Sequence, residues 1–211
     1  MVLIQVEGTD RVGKTTVAKI LYKELKEASI SAKVLAFPNR ETEIGNIVDK
    51  MLKKKKFEWN EAVIFQLLQT ANRLEFYQET KKWQKKGDSV LIFDRYALSG
   101  LVYGKLDGVP YDFLMSLQLL LPPPQLSIIL TADKESLERR LKQKMQLEIY
   151  EKIEKILEVQ EQYIKISKEY EQNVRQKLSF KTKTLILDNS DKKLKNVVKK
   201  AKNEILRLLS K

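Results

Sequence analysis

The sequence predicts an α/β protein, a three-layer doubly wound domain built on a five-stranded parallel sheet. Three observations predict this fold class. Five short apolar runs alternate with segments of helical periodicity, the runs show no polar–apolar alternation, and a glycine-containing loop directly follows the first run. Strands that are buried on both faces of a parallel sheet have this continuous apolar pattern, and the alternating helices cover the two faces.

The strands are predicted where Val, Ile and Leu dominate a short run. These runs are residues 2–7, 33–37, 89–93, 126–131 and 184–187. Each run is followed by a helical segment, and such crossovers place successive strands parallel to one another. The carboxyl ends of all five strands are therefore expected to meet at one edge of the sheet, where open α/β sheets bind their ligands.

The helices are predicted where apolar residues recur with a period of about 3.6 residues. The clearest segments are residues 14–28, 60–86, 134–143, 147–177 and 190–209. Three prolines at 122–124 end a helix before the fourth strand, because proline supplies no helical N–H. No linker, repeat or low-complexity segment interrupts the pattern, so we expect residues 1–211 to form a single domain.

The composition excludes several classes of protein. The 211 residues are 43% hydrophobic and 32% charged, as in a globular chain, and no apolar run reaches the ~20 residues of a membrane span. Because the sequence opens directly into a predicted strand, we expect no signal peptide. It has neither cysteine nor histidine, so disulfides, thiolate metal sites and imidazole catalysis are excluded. We expect a cytoplasmic protein without a membrane partner.

The formal net charge of +12 raises the possibility of nucleic-acid binding. The lysines, however, are spread along the chain and often stand beside glutamate, as they do on solvated helix faces. A basic balance alone is a non-specific feature. We therefore expect no nucleic-acid partner.

The segment after the first strand matches the phosphate-binding pattern G-x-x-x-x-G-K-[ST], the P-loop. Such a loop bends around a phosphate with its backbone N–H groups turned inward. The lysine places a positive charge beside the β- and γ-phosphates, and the hydroxyl that follows it can bind Mg²⁺. A strand before it and a helix after it support the match. The predicted nucleoside-triphosphate-binding positions here are Gly8, Thr9, Asp10, Arg11, Val12, Gly13, Lys14, Thr15 and Thr16.

Charged residues follow two other strands. Asp94 and Arg95 end the third strand, where a carboxylate beside a P-loop can organise Mg²⁺ and an arginine can face phosphates. An N-cap aspartate with a surface arginine is the alternative interpretation. Arg40 follows the second strand and suits a phosphate, because guanidinium binds phosphate oxygens in pairs. Arg73 lies on the long helix, where spacing alone would indicate an exposed charge.

In four places the sequence resembles the thymidylate kinases, which have the P-loop NTPase kinase fold. The matching segments are residues 6–15, 37–40 with 42–45 behind it, 70–73 and 94–100. They occur in the order of the family and cover about the first half of the chain. The aspartate–arginine pair inside the P-loop is unusual among P-loops. The resemblance implies ATP-dependent phosphorylation of dTMP to dTDP with Mg²⁺, and a homodimer formed through long helices, for which residues 60–86 are the candidate.

The resemblance also implies roles for individual residues. Arg11, Lys14 and Arg95 would be catalytic, while Thr15 and Asp94 would serve the metal. Arg139, Arg140 and Asn189 would extend the ATP site. The substrate-binding positions would be Asp10 at the sugar 3′-hydroxyl, Phe37, Arg40 and Arg95 at the monophosphate, Arg73 at the base, and Gln69, Asn72, Tyr96, Ser99, Gly100, Tyr103 and Tyr150 around them.

Three positions depart from the family pattern. Gln69 stands where a phenylalanine usually stacks on the base, which predicts weaker or broader base selection unless a neighbour such as Phe65 compensates. The lid near residues 139–151 is short and irregular. Gln125 replaces a common aspartate, which we interpret as structural.

The mechanism needs no general base, because a phosphate monoester with a second pKa of about 6 is already ionised. Three alternatives remain open at this point. A deoxynucleoside kinase would need a carboxylate base, for which Glu41 is the candidate. A regulatory GTPase would carry an Asn-Lys-x-Asp signature, which is absent from the sequence. A nucleic-acid-binding ATPase would show a steep salt dependence.

Overall fold

The computed structural model describes residues 1–54, 56–142 and 152–210. Its sheet has five parallel strands in the order β2-β3-β1-β4-β5, with helices on both faces, so the predicted fold class is confirmed. The strands are β1 Val2–Gly8, β2 Ser31–Ala36, β3 Ser89–Asp94, β4 Leu126–Thr131 and β5 Lys183–Asp188. All five predicted runs overlap these strands.

The helices within the described residues begin with α1, the helix that follows the P-loop. Their bounds are α1 Lys14–Glu27, α2 Glu43–Leu52, α3 Trp59–Leu74, α4 Tyr77–Gln84, α5 Ala97–Leu106, α6 Tyr111–Gln118, α7 Lys134–Leu141, α8 Ile153–Leu178 and α9 Leu194–Leu209. Periodicity does not single out α5, because eight consecutive residues from Ala97 to Gly104 are buried and the helix has no polar face. None of the described helices is both long and apolar enough to cross a membrane.

Two predicted helices differ from the structure. The segment 60–86 is two helices, α3 and α4, because the chain leaves the helical path at Phe76, whose ring packs edge-on against Phe37 at 5.7 Å. The last helix begins at Leu194 rather than 190. The side chain of Ser190 instead bonds Asp188, and its hydroxyl accepts the backbone N–H of Asp133 at 2.9 Å, which ties the turn after β5 to the end of β4. Residues 143–151, most of the predicted lid, lie outside the described part.

The core consists of two apolar clusters, one on each face of the sheet. Along β1, Leu3 points into the cluster formed with α3, α5, α6 and α8, while Ile4 points into the cluster formed with α1 and α9. Because side chains alternate along a strand, the consecutive apolar residues Val2, Leu3 and Ile4 supply both clusters. The sheet thus separates the helix that follows the P-loop from the helices that build the rest of the site.

Candidate active site

The P-loop connects β1 to α1 and depends on two glycines with positive φ. A Cβ at Gly8, where φ is 135°, would lie 2.5 Å from the carbonyl oxygen of Leu130. A Cβ at Gly13, where φ is 94°, would lie 2.6 Å from Nδ2 of Asn189. Side chains rarely adopt such φ values, and here there is also no space for them. The two glycines therefore set the path of the loop.

Lys14 lies at the start of α1 and is 7% exposed. Its Nζ donates to the carbonyl oxygen of Thr9 at 2.6 Å and lies 3.9 Å from Oδ1 of Asp10. Burial, and next the positive charge of Arg95, lower the pKa of Lys14 to about 8. An anionic phosphate in the loop would reverse this effect, so the lysine is arranged for a ligand that carries negative charge.

Two oxygen donors lie at the mouth of the loop. The Thr15 hydroxyl donates to Oδ2 of Asp94 at 2.5 Å. Hard oxygen ligands of this kind suit Mg²⁺, which usually takes one or two protein oxygens and completes its shell with phosphates and water. The described residues contain no group of three or more acidic side chains that could hold a metal alone. The pair fits a Mg²⁺ that is bound together with a nucleotide.

Asp10 and Arg95 join the loop to the third strand. Nη2 of Arg95 donates to Oδ1 of Asp10 in an ion pair, and the guanidinium lies over the ring of Tyr103 at 5.6 Å. Burial disfavours the charge of Arg95, but Asp10 and neighbouring groups outweigh it and raise the pKa of Arg95 well above its usual value. Arg95 has a φ of 66°, a strained value for a residue with a side chain.

Glu7, which the sequence analysis left without a role, holds this strained turn. Its fully buried Oε1 accepts the backbone N–H groups of Tyr96 at 2.6 Å and Ser99 at 3.2 Å, at the start of α5. Its Oε2 accepts the hydroxyls of Ser99 at 2.7 Å and Tyr163 at 3.3 Å. A carboxylate at a helix N-terminus is well placed for these bonds. The Glu7 network therefore fixes the backbone that carries Arg95.

A cavity of about 620 Å³ opens beside the loop. It joins the P-loop to residues from β2, α3, β3 and α5. Its lining includes Asp10, Arg11, Lys14, Thr15, Phe37, Arg40, Phe65, Gln69, Asp94, Arg95, Ser99 and Tyr103. Charged groups of the loop and of β3 share this lining with aromatic and amide side chains. The cavity can therefore hold a phosphate next to the P-loop and a ring system beside Phe65 and Gln69.

A buried arginine bonds one of the side chains that line the cavity. Arg73 is 3% exposed; its Nη2 donates to Oε1 of Gln69 at 3.0 Å and its Nη1 to Oε1 of Gln118 at 3.3 Å. Burial is the main reason that the pKa of Arg73 falls to about 10. Gln118 is on α6 and has no counterpart in the sequence analysis, because nothing in its local pattern distinguishes it from other core-facing residues of a helix.

Comparison with known proteins identifies the family to which this chain is similar. A sequence model described as thymidylate kinase matches residues 6–201. The thymidylate kinase of Schizosaccharomyces pombe is 34% identical over 80% of this chain and 78% of its own. That of Plasmodium falciparum is 46% identical over 46% of this chain and 45% of its own. The solved thymidylate kinase of Candida albicans superposes with a TM-score of 0.70 at 27% identity, covering 97% of this chain and 91% of the other.

The chain belongs to the thymidylate kinase family. It is therefore a nucleoside-monophosphate kinase, a transferase, and the function of the family is the ATP-dependent phosphorylation of dTMP. The family assignment confirms the resemblance. It favours none of the three alternatives, and Glu41, the candidate base of a deoxynucleoside kinase, is exposed and does not line the cavity.

Several positions that the resemblance predicts for the acceptor do not line this cavity. Asn72 is 1% exposed and holds the turn after β2, because its Oδ1 accepts the N–H of Asn39 at 2.8 Å and its Nδ2 donates to Thr42 at 2.9 Å. Tyr96 is buried, with its hydroxyl on the carbonyl of Pro122 at 3.3 Å. The cavity lining also lacks Arg73 and Gly100.

The predicted ATP positions outside the loop brace it from behind. Arg140 donates to the carbonyl oxygens of Arg11 at 3.1 Å and Asn189 at 2.7 Å, and Nδ2 of Asn189 donates to the carbonyl of Val12 at 2.7 Å. Arg139 is more exposed and pairs with Asp191 at 2.7 Å. Tyr150, predicted for the acceptor, lies outside the described residues.

Proposed function

We propose that the protein transfers the γ-phosphoryl group of ATP to the phosphate of dTMP, with Arg95 on the acceptor phosphate and Mg²⁺ at Thr15 and Asp94. One observation carries the proposal. A single cavity contains both Lys14 and Arg95. Of the two carboxylates in its lining, Asp10 pairs with Arg95 and Asp94 accepts from the Thr15 hydroxyl. The site is thus suited to a phosphate acceptor, and the carboxylates that line the cavity in the described part of the chain are both engaged, so neither is available to deprotonate a hydroxyl.

The mechanism follows from charge and position. The acceptor phosphate is already ionised at neutral pH, so the chain has to align two anions and neutralise the charge between them. Lys14 and Arg11 act on the donor phosphates and Arg95 holds the acceptor. Mg²⁺, when bound, neutralises charge on the β- and γ-phosphates. Asp10 would accept from the sugar 3′-hydroxyl while it stays paired with Arg95.

The test is ADP formation by the purified protein with ATP and Mg²⁺ and, in turn, dTMP, dUMP, dGMP, dCMP, AMP or thymidine. We expect fast turnover with dTMP, none with thymidine, and complete loss when EDTA removes the metal. The Lys14→Met variant controls for a contaminating kinase. Turnover of thymidine without turnover of dTMP would contradict the proposal and direct attention to Glu41.

We also propose that two copies of the chain associate through α3. This helix exposes Trp59, Ile64 and Leu67 at 62%, 48% and 44%, and Ile47 on the adjacent α2 is 46% exposed. An apolar surface of this kind indicates an interaction site. Light scattering should give a dimer for the native chain and a monomer for Leu67→Glu. A native monomer at micromolar concentration would contradict the proposal.

A further inference from the structure

Gln69 is an amide that lines the acceptor cavity. It lies on α3, one turn before Arg73, and it lines the cavity whereas Arg73 does not. It occupies the position at which the resemblance places a stacking phenylalanine. The chemistry of an amide differs from that of a ring, because an amide distinguishes donors from acceptors along the edge of a ligand and a ring does not.

The orientation of the Gln69 amide is set by its neighbour. Arg73 Nη2 donates to Gln69 Oε1 at 3.0 Å, and a guanidinium has donors only, so the oxygen of the amide must face the arginine. The Nε2 group then points the other way. Within the described residues it makes no hydrogen bond. A donor is therefore left for a ligand on the cavity side.

Arg73 itself is held entirely by neutral groups. Its second terminal nitrogen donates to Oε1 of Gln118 at 3.3 Å, and no carboxylate of the described residues lies within ion-pair distance. Nε2 of Gln118, like Nε of Arg73, is buried without a partner in the part of the chain described. With the two carbonyl oxygens of the glutamines occupied, this cluster of Gln69, Arg73 and Gln118 presents only donors.

We propose that Gln69 is a specificity-determining residue that donates from Nε2 to a carbonyl oxygen of the acceptor base, and that Arg73 is the positioning residue that fixes the amide. This inference rests on the proposed function and deepens it. A base with a carbonyl at that edge, such as thymine or uracil, satisfies the donor. The 4-amino group of cytosine faces it donor to donor and leaves two buried polar groups unpaired.

The size of the effect follows from unpaired polar groups. A site built to hydrogen-bond its substrate rejects an analogue that cannot pair far more strongly than an apolar pocket rejects a change of size. Phe65, which also lines the cavity and packs on Phe57 at 4.9 Å, can contact the face of any pyrimidine. Contact with the Phe65 ring therefore contributes to the binding of every pyrimidine, whereas the Gln69 amide distinguishes one pyrimidine from another.

The experiment measures kcat/KM for dTMP, dUMP and dCMP with native protein, Gln69→Leu and Gln69→Glu. We expect the native protein to prefer dTMP over dCMP by at least about a hundredfold. Gln69→Leu removes the donor, so the dTMP-to-dCMP ratio should fall at least about tenfold. Gln69→Glu replaces the donor by an acceptor of the same shape and should lower the ratio further.

Gln66→Leu is the matched control. Gln66 lies on the same helix, is fully buried, and neither of its amide atoms has a partner in the described part of the chain. Its replacement should leave the ratio unchanged. Thermal unfolding of each variant establishes that it is folded, and Gln69→Glu keeps the test available if Gln69→Leu does not fold.

The outcomes separate the inference from the proposed function. If native protein phosphorylates dTMP and both Gln69 variants keep the native ratio, the inference is overturned and the proposed function stands. If native protein phosphorylates no monophosphate, the proposed function fails. Calorimetric binding of dTMP and dCMP to native protein and Gln69→Leu then decides the inference without turnover: an equal preference in both proteins overturns it, and a reduced preference in the variant supports it.

Discussion

The phosphate loop and the base end of the cavity are built in opposite ways. The loop is nine consecutive residues, shaped by two glycines and braced through backbone carbonyls. The base end, as proposed, combines Gln69 and Arg73 from α3 with Gln118 from α6. A local motif specifies the first region, whereas packing between distant helices specifies the second. Substitutions in the loop should therefore affect all acceptors, and those at the base end should change the choice among them.

The largest effect is expected at the loop. Lys14→Met removes the charge that faces the donor phosphates, so kcat should fall about a thousandfold with every acceptor. Steady-state ADP formation measures it. Lys19→Met, an exposed position on the same helix, is the control and should be neutral. A Lys14→Met enzyme that kept even a tenth of native kcat would contradict the expectation that the loop governs turnover of every acceptor.

The second-largest effect is expected at Arg95, the arginine proposed to hold the acceptor phosphate. Arg95→Lys keeps the charge but loses the paired donors that bind phosphate oxygens, so kcat/KM for dTMP should fall about a hundredfold. The KM for ATP should stay close to its native value. Kinetics with each substrate varied in turn separate the two terms, with the exposed Arg175→Lys as the matched control. An equal rise in both KM values would argue against an acceptor role.

A smaller effect is expected at Glu7, which holds the turn that carries Arg95. Glu7→Gln keeps the shape of the side chain, but its amide cannot accept from Ser99 and Tyr163 as Oε2 does. The free energy of unfolding should fall by about 2 kcal/mol, and the KM for dTMP should rise because the turn with Arg95 loosens. Urea unfolding and kinetics measure the two effects. A loss of stability with native KM values would show that Glu7 supports only the fold.

The smallest effect is expected at Asn72. Asn72→Ala releases the turn that carries Asn39 and Arg40, at a cost of about 1–2 kcal/mol in stability and a modest rise in the KM for dTMP. The same stability assay applies. Because Asn72 does not line the cavity, the dTMP-to-dCMP ratio should not change. A changed ratio would place Asn72 in contact with the base, as the resemblance implies.

Much of the architecture could be predicted from the sequence. The strands follow from apolar runs, and the P-loop follows from spacing that backbone geometry demands. The break between α3 and α4 could not be predicted, because it depends on Phe76 packing against Phe37, which follows β2 and is far away in sequence. The roles of Glu7 and Gln118 were missed for the same reason. Their partners are long-range, and no local pattern marks them.

The candidate site divides in the same way. The sequence predicts that Lys14, Thr15, Asp94 and Arg95 lie together, and the cavity contains all four. Their catalytic roles stay predictions. Arg140 and Asn189 were expected at ATP, but the contacts described here are with the back of the loop, because carbonyl oxygens of the tight turn need donors that the turn itself does not supply.

The two-faced core has a consequence for how such an enzyme can diverge. The residues proposed to choose the acceptor base lie on helices that pack in the cluster with α3, α5 and α6, while the helix that follows the P-loop packs in the cluster on the opposite face. Mutations can therefore accumulate and compensate one another on one side of the sheet with little repacking on the other. A lineage could exchange a stacking ring for an amide at position 69 and inherit its phosphate chemistry intact.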